Sequence, residues 1–201
     1  MNDAFLHACR REPAGGTPVW FMRQAGRALP EYRAVRERYS ILEITQHPDL
    51  CAEVTLQPVH RLGVDAAIIF ADITLPLLGM GVAVELREGL GPVVAEPLQS
   101  AADIERLQPF NPYEHTPALL EAVALVRRAS PVPLIGFAGA PFTLTSYLVE
   151  GGPSRQFLKV KAMIHGAPDL WHRLMERLTD VAVAFLRAQV ASGAQALQVF
   201  D

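Results

Sequence analysis

Residues 66–72, with the sequence AAIIFAD, decide the fold class of this chain. Residues 66–70 are apolar without interruption, which is typical of a strand buried on both faces of a parallel sheet. Asp72 follows almost at once, so we expect it at the carboxyl end of that strand, where barrel enzymes form their active sites. Aspartate is also common as the cap of a helix or loop, and its position alone leaves both interpretations open.

Apolar runs and helical segments alternate on both sides of this stretch. We predict further strands at 19–22, 132–137 and 196–200, and a hairpin over 82–97. Helices are predicted at 31–39, 48–63, 101–107 with Ser100 as its cap, 117–129, 154–165 and 168–191. Pro58 is expected to kink the second helix or to end it early. This alternation favours βαβ units and an α/β fold with a parallel sheet.

The composition suits one domain over residues 1–201 and argues against several classes of partner. Half of the residues are hydrophobic, which is enough for a substantial core. The net charge of -3 provides no general attraction for nucleic acid. No apolar run is long enough to span a membrane, and the N-terminus lacks the apolar region of a secretion signal. We therefore expect a cytoplasmic protein.

Neither the cysteines nor the histidines have the spacing of a metal site. Cys9 and Cys51 are too few for a disulfide scaffold, so we expect two reduced thiols. The six histidines show no ligand pattern. The sequence therefore predicts no metal.

Residues 18–27, with the sequence PVWFMRQAGR, place two arginines four residues apart with a glycine between them. The guanidinium group is a rigid fork of donors that matches a carboxylate, and its charge does not titrate near neutrality. Arg23 and Arg27 therefore suit a small molecule with several negative charges. Arginines at this spacing are also common on a solvated helix face, and the residues alone do not exclude that.

Residues 136–152, with the sequence GFAGAPFTLTSYLVEGG, begin at the end of another predicted strand. Their small side chains let the backbone approach a flat ligand, and Phe137 and Phe142 could pack against it. The segment lacks the lysine of a P-loop and the G-x-G-x-x-G spacing, which argues against a phosphate site.

Residues 18–33 and 136–152 resemble the two signatures of the uroporphyrinogen decarboxylase family. The family usually has an aromatic residue where this chain has Ala28. Its fold is a single (β/α)8 TIM barrel, and its chains are much longer than this one. The resemblance therefore implies that residues 1–201 supply the N-terminal part of one barrel domain.

The resemblance also implies an activity, which is decarboxylation of the four acetate side chains of uroporphyrinogen III to coproporphyrinogen III, with no cofactor. Asp72 is the expected catalytic group, because its carboxylate would stabilise positive charge on the macrocycle. Arg23 and Arg27 are expected to hold substrate carboxylates, and Arg23 is a candidate proton donor. Tyr147 is expected to fix a carboxylate or to orient Asp72. Gln24 and Phe137 complete the predicted substrate-binding residues.

Two other functions stay open at this point. A corrinoid- or thiol-dependent methyltransferase of the same fold would need thiolate or imidazole ligands for zinc. A non-catalytic fragment that binds a tetrapyrrole would bind porphyrin tightly without releasing carbon dioxide. The expected partners are a tetrapyrrole and, for the full-length protein, a second copy of itself.

Overall fold

The computed structural model describes residues 2–22, 24–25, 28–87 and 89–201. The helices are α1 Ala4–Cys9, α2 Pro30–Arg36, α3 Ile41–Gln46, α4 Pro48–Leu62, α5 Leu75–Gly79, α6 Ala101–Glu105, α7 Pro112–His115, α8 Pro117–Ala129, α9 Pro141–Glu150, α10 Leu158–Gly166 and α11 Pro168–Ser192. The strands are β1 Ala67–Ile68, β2 Val84–Arg87, β3 Gly91–Val94, β4 Leu134–Gly139 and β5 Ala196–Phe200. Within the described ranges, no helix is long and apolar enough to cross a bilayer.

The chain forms two compact units. The first contains Met1–Asp72, Thr116–Phe137 and Leu186–Gln198, and the second contains Ile73–His115, Ala138–Phe185 and Val199–Asp201. The single domain expected over residues 1–201 stays a prediction.

A parallel sheet with the strand order β1-β4-β5 organises the first unit. β1 pairs in parallel with β4, and Ala67 is aligned with Leu134. The residues of both strands are buried, which agrees with the apolar runs that predicted them. Helix α4 packs against β1 and α8. The α/β fold with a parallel sheet is therefore confirmed.

Two of the predicted strands differ from the structure. β1 is limited to Ala67–Ile68 instead of residues 66–70, and residues 19–22 are not a strand. Val19 makes two hydrogen bonds with Asp65 instead of a strand ladder. The Asp65 N–H donates to the Val19 carbonyl, and the Val19 N–H donates to the Asp65 carboxylate. The Phe21 N–H donates to the side chain of Gln24 instead of to a strand.

Helix α4 continues through Pro58 and ends at Leu62, so the prediction that it ends early is wrong. Pro58 itself is buried in the packed face of the helix. Gly63 ends the helix in the left-handed region with φ 63°, as a glycine after a helix often does. The boundary predicted near residue 63 is therefore confirmed.

The second unit is built on its own hydrophobic core. β2 and β3 form the predicted antiparallel hairpin, and α6 begins with a capping box between Ser100 and Asp103. Side chains from α5, the hairpin, α9, α10 and α11 fill the core, among them Leu77, Val94, Leu144, Leu148, Val160, Leu174 and Leu178. Part of the second sequence signature is the helix α9, which we did not predict.

Candidate active site

The predicted site residues divide between the two units. Gln24, Asp72 and Phe137 belong to the first unit, and Tyr147 belongs to the second. Arg23 and Arg27 lie outside the described residues. Their roles therefore stay predictions from the sequence.

The side chain of Gln24 joins the backbone at Phe21 to the backbone at Ala66, just before β1. Its side chain is 6% exposed, its Oε1 accepts from the Phe21 N–H at 3.0 Å, and its Nε2 donates to the Ala66 carbonyl at 3.1 Å. A buried amide that binds two backbone groups holds both segments in one place. The structure therefore gives Gln24 an anchoring contact, while its predicted contact with substrate is untested.

Two large apolar side chains that precede Gln24 in the chain face solvent. Phe21 is 51% exposed and Met22 is 57% exposed. Apolar surface of this kind, beside an arginine-rich segment, suits a ligand with a flat apolar body and charged edges. The exposed side chains of Phe21 and Met22 thus add apolar contact surface to a segment that the sequence characterised only by its charge.

Asp72 follows β1 and is partly buried. Just before it, the peptide of Phe70 is bound by two side chains of α4. The Thr55 Oγ1 accepts from the Phe70 N–H at 2.9 Å and donates to the Cys51 carbonyl at 2.8 Å. The Cys51 thiol lies 3.2 Å from the Phe70 carbonyl and donates to it.

The chemistry of Cys51 follows from its burial. Burial raises the pKa of the Cys51 thiol to about 12. The sulfur is therefore protonated at neutral pH and is available as a donor. Neither Cys51 nor Thr55 was predicted for the site, although their spacing of four residues places both on one face of a helix.

Phe137 lies on β4, the neighbour of β1, and its ring is buried with 6% exposure. Both backbone polar groups of Phe137 are bound by Gln189 of α11, which is fully buried. Gly136 makes room for this amide, because a Cβ at that position would lie 2.7 Å from the Gln189 Oε1. Phe70 after β1 and Phe137 on β4 are therefore each bound at both backbone polar groups by side chains of a helix.

Tyr147 is half-buried on α9 and packs against the core of the second unit. On the same helix, the ring of Phe142 lies 5.8 Å from that of Phe157 and 6.1 Å from that of Trp171. The ring of Phe142 therefore packs against the core of the second unit, and its predicted contact with a flat ligand is untested.

The start of α9 is bound to the end of β5. The Ala140 N–H donates to the Phe200 carbonyl at 2.7 Å, and the Thr143 hydroxyl donates to the Asp201 carboxylate at 3.2 Å. These contacts fix the first turn of the helix that carries Tyr147. Across the part of the chain that the structure describes, no three His, Cys, Asp or Glu side chains form a metal-binding group.

Comparisons with known proteins identify the relatives of the chain. The family model "Uroporphyrinogen decarboxylase (URO-D)" matches residues 1–201. A protein of Thermus thermophilus named uroporphyrinogen decarboxylase is 59% identical over 201 residues, which are 100% of this chain and 59% of that protein. The protein of that name from Geobacillus thermodenitrificans is 52% identical over 202 residues, again 100% of this chain and 59% of the relative. The chain thus spans less than two thirds of these relatives.

A solved structure shares the fold at low sequence identity. A methyltransferase from Methanosarcina mazei matches with a TM-score of 0.70 and 21% identity, over 98% of this chain and 57% of that chain. At this identity the likeness concerns the fold.

Proposed function

Since this chain belongs to the uroporphyrinogen decarboxylase family, we propose that the full-length protein is a carboxy-lyase that converts uroporphyrinogen III to coproporphyrinogen III. The family has the TIM-barrel fold, and this chain corresponds to its N-terminal portion, about 59% of the length of a relative. The observation that carries the proposal is the match to the family over all 201 residues, both signature segments included. The proposed reaction uses no cofactor and belongs to haem biosynthesis.

Asp72 is the proposed electrostatic catalyst. Protonation of an electron-rich pyrrole carbon gives a cationic ring, which accepts the electron pair of the C–C bond as carbon dioxide leaves. A second proton then converts the remaining methylene group to a methyl group, and the ring carbon releases the first proton, which restores the neutral pyrrole. A fixed carboxylate beside the ring N–H groups stabilises the positive charge as it develops. The position of Asp72 after a strand of the parallel sheet supports this role.

The other residues have proposed roles in binding. Arg23 and Arg27 bind substrate carboxylates through their guanidinium groups, and the exposed side chains of Phe21 and Met22 offer apolar surface to the macrocycle. Arg23 serves as proton donor only if its acidity is strongly increased, because a general acid is most effective with a pKa near the operating pH. Tyr147 is the proposed partner of a substrate carboxylate.

A cytoplasmic location and a homodimer complete the proposal. A methyltransferase is not favoured, because the methyltransferase likeness is 21% identical whereas decarboxylase relatives reach 59%. A protein that binds a tetrapyrrole without reaction stays distinguishable by experiment. Such a protein would bind uroporphyrin and release no carbon dioxide.

The test uses the full-length gene product with chemically reduced uroporphyrinogen III under nitrogen. We expect release of carbon dioxide and accumulation of coproporphyrinogen, detected by chromatography after oxidation. Asp72→Asn should lower kcat by about 100-fold or more, because it removes the charge and keeps the shape. Asp49→Asn, at an exposed position on α4, is the matched control and should retain full activity. Binding of uroporphyrin without turnover by the unmodified protein would contradict the proposal.

A further inference from the structure

We propose that Thr55 is a positioning residue for Asp72, which holds the end of β1 so that the carboxylate keeps one place at the edge of the sheet. The inference rests on the function proposed above for Asp72. It concerns residues of the first unit alone. Thr55 is buried on α4 and acts through the backbone of Phe70.

The Thr55 hydroxyl fixes Phe70 to a particular turn of α4. It accepts from the Phe70 N–H at 2.9 Å, and its own proton goes to the Cys51 carbonyl at 2.8 Å. Because that proton is already directed to the helix, the lone pairs of the oxygen are turned toward the strand. The hydroxyl is therefore oriented as an acceptor before the strand packs against it.

Two further contacts restrain the same residue. The Cys51 thiol donates to the Phe70 carbonyl at 3.2 Å, so both polar groups of one residue are bound from one helix. The ring of Phe70 lies 5.6 Å from that of Tyr32, with the two planes inclined by 58°. Phe70 is thus restrained at its N–H, its carbonyl and its side chain.

The contacts of Phe70 with α4 lie one residue beyond the backbone hydrogen bond of Ile69 with the β4 segment. One residue beyond β1, the Ile69 N–H donates to the Ile135 carbonyl at 3.0 Å. Asp72 is two residues beyond Phe70, so the Phe70 peptide is part of the backbone that places the carboxylate. A displacement of a catalytic group by about 1 Å can reduce a rate about 100-fold.

The test compares three variants of the full-length gene product by kcat, KM and thermal midpoint. Thr55→Val keeps the shape of the side chain and removes the hydroxyl, and we expect kcat to fall at least about tenfold with KM little changed. Thr55→Ser keeps the hydroxyl and should recover most of kcat. Thr45→Val is the matched control, because Thr45 is also buried and its hydroxyl donates within its own helix, to the Leu42 carbonyl at 2.7 Å. It should lower the thermal midpoint without lowering kcat.

A double variant separates positioning from general stability. If Thr55 acts through Asp72, Thr55→Val should reduce kcat strongly in the unmodified protein and hardly at all in Asp72→Asn. Equal fold-losses in the two backgrounds, or an unchanged kcat in Thr55→Val, would overturn the inference. If Thr55→Val does not fold, Cys51→Ala provides the same comparison through the carbonyl contact, and equal losses there would likewise overturn it.

The experiment also distinguishes the two proposals. Near-normal turnover by Asp72→Asn would remove the catalytic role of Asp72, and the inference about Thr55 with it. A slow Asp72→Asn together with an additive or silent Thr55→Val would leave the proposed function intact and reject the positioning role alone.

Discussion

The side-chain amide of Gln189 binds both backbone polar groups of Phe137. Its Oε1 accepts from the Phe137 N–H at 2.9 Å, and its Nε2 donates to the Phe137 carbonyl at 2.8 Å. Gln189 is fully buried on α11, and the two residues are 52 positions apart in the chain. A side chain of α11 therefore binds the backbone of β4, the strand that neighbours β1.

Gln189→Leu should destabilise the protein strongly. Leucine fills most of the space but leaves the N–H and the carbonyl of Phe137 without this partner inside the core. Because an unsatisfied buried group costs about 1–3 kcal/mol, we expect a loss of about 3 kcal/mol in the free energy of unfolding, measured with urea. Gln46→Leu, at an exposed position on α3, is the control and should change stability by less than about 0.5 kcal/mol. Equal stability of the two variants would contradict the prediction.

Gly136→Ala should act on the same contact from the strand side. The new Cβ would lie 2.7 Å from the Gln189 Oε1 and 3.1 Å from the Ala194 Cβ, so the amide must move. We expect a loss of about 1–3 kcal/mol in urea unfolding. Gly166→Ala is the matched control, because no atom lies within 4 Å of a Cβ built there. A Gly136 variant as stable as the Gly166 variant would show that the amide has room to shift.

Cys9 and Cys51 should differ sharply in reactivity. Cys9 is exposed, whereas Cys51 is buried and hydrogen bonded. Iodoacetamide at pH 8 should modify Cys9 in the native protein and both residues in urea, as read by mass spectrometry of the two peptides. Modification of Cys51 in the native protein at a rate near that of Cys9 would be inconsistent with the structure.

The same thiol makes stability depend on pH on the alkaline side. Folding raises the pKa of Cys51 from 9.0 to about 12, so the unfolded chain loses this proton first as pH rises. The contribution of the protonated thiol is therefore complete below pH 9 and is lost between pH 9 and 12. The difference in unfolding free energy between the unmodified protein and Cys51→Ala should shrink across that interval, and a constant difference would contradict the assignment.

The pKa of the Asp103 carboxyl should lie below the ordinary value of an aspartate. The Gln99 N–H, the Ser100 hydroxyl and the Ser100 N–H donate to its carboxylate, and these hydrogen bonds hold the pKa of the carboxyl below 3.8. The stabilisation that results is present above pH 3.8 and is lost as pH falls through the lowered pKa. Ser100→Ala should raise the pKa measured by carboxyl NMR, whereas Ser154→Ala, which alters the hydroxyl bound to the Phe157 N–H, should not. An unchanged pKa in Ser100→Ala would contradict the capping geometry.

Local patterns in the sequence predicted the elements that depend on local interactions. The bounds of α8 and β5 were predicted at both ends, because a proline begins the first and an apolar run defines the second. Ser100 was predicted as the cap of α6, and the structure shows that Asp103 completes a capping box with it. Asp72 was placed after its strand by the same kind of reasoning.

Contacts between distant residues could not be predicted in this way. The hydrogen bond between the Gln24 side chain and the Ala66 carbonyl joins residues 42 positions apart, and no local pattern indicates it. Nothing in the helical pattern of residues 168–191 indicates that a glutamine in it binds a strand. Helix α9 was missed because glycines around residues 136–152 suggested a loop, although Pro141 begins the helix and Gly151 ends it.

The side chains of Gln24, Thr55 and Gln189 also have a consequence for how the strands find their partners during folding. A parallel strand that slips by one residue can still form a ladder, but it exchanges its two faces. β1 has two residues in its ladder, so the ladder itself discriminates weakly against such a slip. Each of these three side chains matches one particular peptide, at residues 66, 70 and 137. A slipped pairing would leave their polar atoms buried without partners. These three side chains, which lie outside the sheet, thus favour the correct strand alignment, because a misaligned strand would lose its hydrogen bonds with them.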